Sequence, residues 1–141
     1  MGSLRGETLP GPDLLPELAR GFEADTGVPC RLQVEGHPAD LSVEARLALY
    51  RVAQEALTNV RKHADASSVS ITLRYVPNGV GLIVEDEGTS LAFPLPGGGY
   101  GVSGMRERAE LLGGTLRAGA TATGYSVQLW IPTGPSAPSV S

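Results

Sequence analysis

The sequence holds one cysteine, one lysine and seven aromatics among 141 residues. It has no apolar run near the ~20 residues that a membrane span requires. Each scarcity excludes something. A single cysteine, Cys30, cannot form an internal disulfide or a multi-cysteine zinc site, and on an apolar stretch it reads as a small buried hydrophobe. The only lysine, Lys62, follows no glycine-rich loop, so there is no Walker A sequence. With no apolar span, neither a transmembrane helix nor a signal peptide is expected in this stretch, and no membrane contact by this domain, which leaves membrane anchoring of a parent chain open. Fifteen acidic residues against eleven basic ones give a net charge of −4. With so few stacking rings as well, the chain lacks the basic surface and aromatic platforms of a nucleic-acid reader.

What is present is an ordinary globular mixture: 41% hydrophobic, 18% charged, with 19 glycines and 11 prolines that predict tight turns. A chain of this length forms one domain and buries roughly 70% of its unfolded surface, enough to fold without a disulfide or metal. The composition is that of a cytoplasmic domain. Residues 1–3 read as a cloning remnant, 4–132 as the domain, and 133–141 as a disordered tail with no apolar periodicity.

Leu14, Leu15, Leu18, Ala19 and Phe22 recur at helical spacing, with Gly27 as the stop. Val28 to Val34 reads as a short strand. The longest periodic segment runs from Ser42 to His63. Ser42 is placed to cap it, Glu44 to complement the N-terminal dipole, and Arg61, Lys62 and His63 to complement the other end. Leu49, Val52, Ala53, Ala56, Leu57 and Val60 form its apolar stripe. Val69 to Tyr75 alternates like a half-buried strand, Pro77-Asn78-Gly79 is turn chemistry, and Val80 to Val84 returns as a second strand. Gly88 to Tyr100 reads as a long loop, Val102 to Leu112 as a helix stopped by Gly113-Gly114, and Thr115 to Arg117 and Tyr125 to Ile131 as closing strands. Runs of antiparallel strands with helices on one face make an α+β two-layer sandwich.

On the long helix, Glu55 and Asn59 share a face, with Arg51 a turn before and Lys62 most of a turn after. One reading is a solvated face with an Arg51–Glu55 pair. The other is a carboxylate, an amide oxygen and a cation turned toward a nucleotide triphosphate, with Asn59 offering a neutral oxygen to Mg²⁺. His63 reads as a helix-end group. Gly99-Tyr100-Gly101-Val102-Ser103-Gly104 matches G-x-G-x-x-G, but no strand precedes it directly and no acidic residue follows about 20 positions on, so a dinucleotide site is disfavoured. A glycine cluster feeding a helix start still suits phosphate, and a plain connector is the competing account. Asp86 follows the apolar strand and suits the exocyclic amine of adenine; an Asx turn is its competing account.

Taken together, three ordered segments resemble the ATP-binding catalytic domain of bacterial sensor histidine kinases, in the subgroup that partners NarL-type response regulators. Gln54-Glu55-Ala56-Leu57-Thr58-Asn59-Val60-Arg61-Lys62-His63-Ala64 is similar to the family's N box. Asp86-Glu87-Gly88 is similar to its first glycine box, and Gly99 to Ala109, continuing to Leu112-Gly113-Gly114, to its second. The resemblance implies the Bergerat-type fold, shared with DNA gyrase B, MutL and heat-shock chaperone ATPases. It implies that Asn59 coordinates Mg²⁺, that Asp86 reads the adenine amine and that Gly88 lets the base seat. It places Lys62 and His63 near phosphates, residues 89–100 as the ATP lid, and Gly99, Gly101, Val102 and Gly104 along the phosphates. Thr123 resembles the threonine supporting the adenine site, and Glu55 the acidic residue that assists phosphoryl transfer.

Two departures stand out. Ser90 replaces the second glycine of the first glycine box. Neither His37 nor His63 sits in the phosphoacceptor setting, which the resemblance assigns to a separate helical dimerisation domain. The implied function is transfer of the γ-phosphoryl of ATP to that histidine, then to a response regulator, with this domain monomeric. An anti-sigma-factor serine kinase and a degenerate, non-catalytic nucleotide-binding module are the alternatives.

Overall fold

Ser42 opens the long helix as its chemistry dictates: its Oγ accepts the Ala45 N–H and its carbonyl the Arg46 N–H, both at 3.0 Å. The computed structural model describes residues 10–38, 40–63, 66–88 and 102–133. In chain order it runs from a 3₁₀ turn (Pro12–Leu14) into α1 (Leu15–Thr26), β1 (Cys30–Glu35), α2 (Val43–His63), β2 (Ser68–Val76), β3 (Gly79–Glu87), α3 (Val102–Leu111), β4 (Thr115–Ala120) and β5 (Gly124–Pro132). The expected lid, Gly99, Gly101, residues 1–3 and the tail from 134 onward lie outside the described residues.

The five strands form one sheet in the order β1-β2-β3-β5-β4. β1 pairs with β2 in parallel, and every other pairing is antiparallel. Period-2 alternation puts Ile71 and Leu73 of β2, Val80, Leu82 and Val84 of β3, and Val127, Leu129 and Ile131 of β5 into the core. There they meet the stripe of α2, now widened by Ala45 and Ala48, together with Leu15 and Phe22 of α1 and Met105 and Ala109 of α3. Fully burying one such Leu or Val is worth about 1.5–3 kcal/mol, so this layer contact dominates the stability. α1 ends where Gly27 takes φ +77, its N–H on the Glu23 carbonyl. The other sheet face carries Thr72, Ile83, Gln128 and Arg117 in one row. Beside that row the indole of Trp130 is packed against Gly79.

Three boundaries differ from the sequence reading by two residues or more. The first strand starts at Cys30 rather than Val28, because its pairing with β2 begins at Cys30↔Val69. β4 continues to Ala120 because Ala118, Gly119 and Ala120 all find partners on β5. Most consequential, β3 continues through Asp86 to Glu87, so Asp86 lies within a strand rather than in a turn after one. Cys30 is half-buried, and burial together with the Glu23 carboxylate pushes its thiol up to about 11, which makes it a poor nucleophile. No helix among the described residues is long and apolar enough to cross a membrane.

Candidate functional site

Asp86 continues the buried phase of β3. Val80, Leu82 and Val84 point into the core, and two residues further on the same phase delivers a carboxylate that is only 3% exposed. A charge in that position needs hydrogen bonds. Its Oδ1 accepts the Tyr125 N–H at 3.2 Å. Tyr125 is also the cross-strand partner of Asp86, so both side chains project from the same, helix-covered face.

The backbone around Asp86 is fitted tightly. Gly88 has φ +92, and a Cβ there would lie 2.7 Å from Ser67 Oγ and 2.8 Å from Ser67 N. The fold itself therefore demands glycine at 88. Gly88 N–H donates to the Thr123 carbonyl at 3.0 Å, and Ser67 N–H to the Glu87 carbonyl at 2.7 Å. A Cβ at Gly124 would collide with the Asp86 carbonyl oxygen. The end of β3 is thus clasped between the chain entering β2 and the turn entering β5.

Connectivity brings the long helix to this same end of the sheet. α2 finishes at His63 and β2 starts at Ser68, whose partner is Glu87. Asn59, four residues or about 6 Å before the helix end, and Lys62 therefore approach the Asp86 end. Glu55 and Asn59 are half-buried and Lys62 is exposed. Among the described residues no ion pair joins Arg51 to Glu55; the arginines that pair are Arg46, Arg61 and Arg74. The polar ends of Glu55 and Asn59 have no protein hydrogen-bond partner among the described residues, which leaves a carboxylate and an amide oxygen on one helix face for a ligand. No group of three or more His, Cys, Asp or Glu residues among those described could hold a metal alone. That donor set suits Mg²⁺, which takes few protein oxygens and shares the rest of its shell with water and phosphate.

α3 starts at Val102 and packs on α2, β4 and β5. Arg106, one turn in, opposes the upward shift that burial and Asp86 impose on the Tyr125 phenol. Gly104 has nothing among the described residues within 4 Å of where a Cβ would stand. A helical glycine without a steric reason costs about 1 kcal/mol against alanine, which fits a position kept open for a close approach. Gly104→Ala should accordingly raise the melting temperature by a few degrees while weakening ATP binding several-fold. Thermal melts and titration on the same samples check both signs.

The structure does not bring the Thr123 side chain to Asp86. It is exposed in the turn between β4 and β5, and its contribution is the carbonyl that receives Gly88 N–H. Thr121 Oγ1 holds that turn by accepting the Gly124 N–H at 2.9 Å. The residue opposite Asp86 is Tyr125, which sequence reasoning missed. His63 ends α2 and Val102 begins α3.

Comparison with known proteins gives the family and the fold. Residues 44–135 match the histidine kinase-, DNA gyrase B- and HSP90-like ATPase family. The chain is 42% identical over 90 residues to the signal transduction histidine-protein kinase/phosphatase UhpB of Salmonella typhimurium, covering 63% of this chain and 18% of that protein. It is 35% identical over 106 residues to the nitrate/nitrite sensor protein NarQ of Escherichia coli, covering 74% of this chain and 18% of that one. Its structure is similar to the blue-light activated histidine kinase of Erythrobacter litoralis EL346, with a TM-score of 0.66 at 25% identity, over 88% of this chain and 42% of that one. The catalytic domain of histidine kinase ThkA shares the fold, with a TM-score of 0.65 at 16% identity, over 84% of this chain and 92% of that one. The chain spans between 18% and 32% of the length of the curated sensor kinases it matches. With the family match covering the long helix, the Asp86 strand and the closing strands, this chain belongs to the histidine kinase-, DNA gyrase B- and HSP90-like ATPase family, as an ATP-binding catalytic domain of the sensor histidine kinase type.

Proposed function

We propose that this domain binds ATP with Mg²⁺ and, within a longer parent chain, transfers the γ-phosphoryl group to a histidine on a helical dimerisation domain. A response regulator of the NarL type would then take the phosphoryl group. The reading rests above all on a buried carboxylate, Asp86, at the same end of the sheet as the Asn59 amide, which has no protein hydrogen-bond partner among the described residues.

The residues divide the work by chemistry. Asp86 accepts a hydrogen bond from the exocyclic amine of adenine and would repel the guanine carbonyl. Asn59 supplies one neutral oxygen to Mg²⁺, which offsets phosphate charge when bound. Lys62, exposed at the helix end, adds positive charge beside the phosphates, with His63 next to it. Glu55, one turn before Asn59, would hold and orient a proton on the group attacking the γ-phosphoryl. Val102 and Gly104, at the start of α3, carry backbone N–H groups to the phosphate chain, and the family resemblance adds Gly99 and Gly101 to that set. Phosphoryl transfer needs positioning and charge neutralisation more than covalent help from the protein, and this residue set supplies both.

Titration of ATP with and without Mg²⁺ tests the reading. The wild-type domain should bind more tightly with the cation. Asn59→Ala should bind ATP alone nearly as well as wild type and lose most of the cation-dependent gain. Equal Mg²⁺ dependence in both proteins would remove Asn59 from the site.

A further inference from the structure

The sheet face turned away from the helices carries a groove. Val80 and Leu82 of β3 point into the core, so Gly79 and Gly81 hold the alternate, outward positions, and no side chain rises from either. The indole of Trp130, from β5, lies in the space they leave. A Cβ at Gly79 would strike the ring, and one at Gly81 would stand 3.9 Å from it. The hollow is about 460 Å³ and open to solvent, floored by Trp130 and Gln128, with Arg74 of β2 on one flank and Arg117 of β4 on the other. No acidic residue among those described lines it.

The two arginines differ. Arg74 Nε donates to Glu35 Oε1 at 2.7 Å. Arg117 is exposed and has no ion pair or hydrogen bond among the described residues, although the chain carries four more acids than bases. An unpaired guanidinium fork beside a half-buried indole is the composition of a binding hot spot, and the group that complements the fork is a carboxylate. We propose that this groove docks an acidic segment of a partner protein, one carboxylate pairing with Arg117 while a neighbouring apolar side chain packs on Trp130. A small ligand would stay largely in water in so open a hollow. A second copy docked about a two-fold axis would set the same arginines against these, like charge against like. The groove lies on the opposite face of the sheet from Asp86, so the proposal stands apart from the nucleotide site.

Selection of a random peptide display library on the intact chain, followed by titration of the selected synthetic peptides, tests this. Trp130 is the sole tryptophan, so its emission reports on the groove directly. The selected peptides should be enriched in Asp and Glu, shift that emission and bind more weakly as salt rises. Arg117→Glu should weaken them about tenfold or more, and Gln128→Glu, which places a like charge on the floor, should act in the same direction. Both positions are exposed, circular dichroism melts verify that the variants are folded, and their ATP affinity should match wild type. Arg31→Glu makes the same charge change as Arg117→Glu on the same sheet face outside the groove, and should bind the peptides nearly as wild type does. Selected peptides without acidic enrichment, or acidic peptides that leave the Trp130 emission unchanged, overturn the proposal. Equal loss in Arg31→Glu and Arg117→Glu also overturns it, because it marks attraction to net charge rather than a docking groove. A wild-type chain that sediments as a dimer, dissolved by Arg117→Glu, overturns it in favour of a second copy.

Discussion

Asp86→Asn is expected to weaken ATP binding by about 100-fold, near the upper end of what a hydrogen bond to a charged group contributes. The substitution keeps the shape and one carbonyl oxygen. The Tyr125 N–H that now donates to Oδ1 at 3.2 Å therefore retains an acceptor, and the fold should survive. What changes is the sign of the other end. An amide NH₂ turned toward an exocyclic amine sets donor against donor, whereas toward the guanine carbonyl it is a match. The ratio of ATP to GTP affinity should fall further than ATP affinity alone would suggest. Parallel titrations of the two nucleotides measure this, and an unchanged ratio would show that Asp86 does not read the base.

A second large effect is expected at Gly124, through the backbone. A Cβ there would collide with the Asp86 carbonyl oxygen and come within 2.7 Å of its Oδ1. Neither a ladder carbonyl nor the carboxylate beside it can move without disturbing the pairing of β3 with β5. Overpacking of this kind costs about 1–3 kcal/mol and sometimes more. For a domain of this size, 3 kcal/mol should lower the melting temperature by roughly 10 °C. Gly119→Ala, where nothing lies within 4 Å of the new methyl, is the matched control and should melt within a few degrees of wild type. Gly124→Ala should also lose ATP affinity at temperatures where it remains folded, because relief of the clash displaces Asp86. A variant with wild-type melting and binding would refute the account of this junction.

Much of this was legible in the residues, and the gaps have physical causes. The long helix announces itself twice, by a cap at Ser42 and by an unbroken apolar stripe, so its face bearing Glu55 and Asn59 follows directly. Position 86 is harder. Glu85-Asp86-Glu87 looks like the polar end of a strand, yet the alternation of Val80, Leu82 and Val84 already predicts an inward-facing 86. What hydropathy omits is the partner strand, whose Ser126, Tyr125 and Gly124 carry the ladder past the last apolar residue. For the same reason Thr123 and Tyr125 could not be told apart from sequence. Cross-strand register is a tertiary property, and a shift of two residues preserves every side chain's face. The sheet order, with β5 between β3 and β4, likewise depends on long-range contacts that local patterns do not encode.

The parallel edge made by β1 has a consequence for how the molecule opens. Among the described residues β1, like β4 at the other edge, is hydrogen-bonded along one side only, whereas β3 is zipped to antiparallel neighbours on both sides over its full length. Transient fraying should begin at the sheet's edges, with β1 amides exchanging with solvent deuterium long before those of β3. The strand bearing Asp86 would then be among the last to let go, so a partly loosened molecule would still keep the heart of its nucleotide grip.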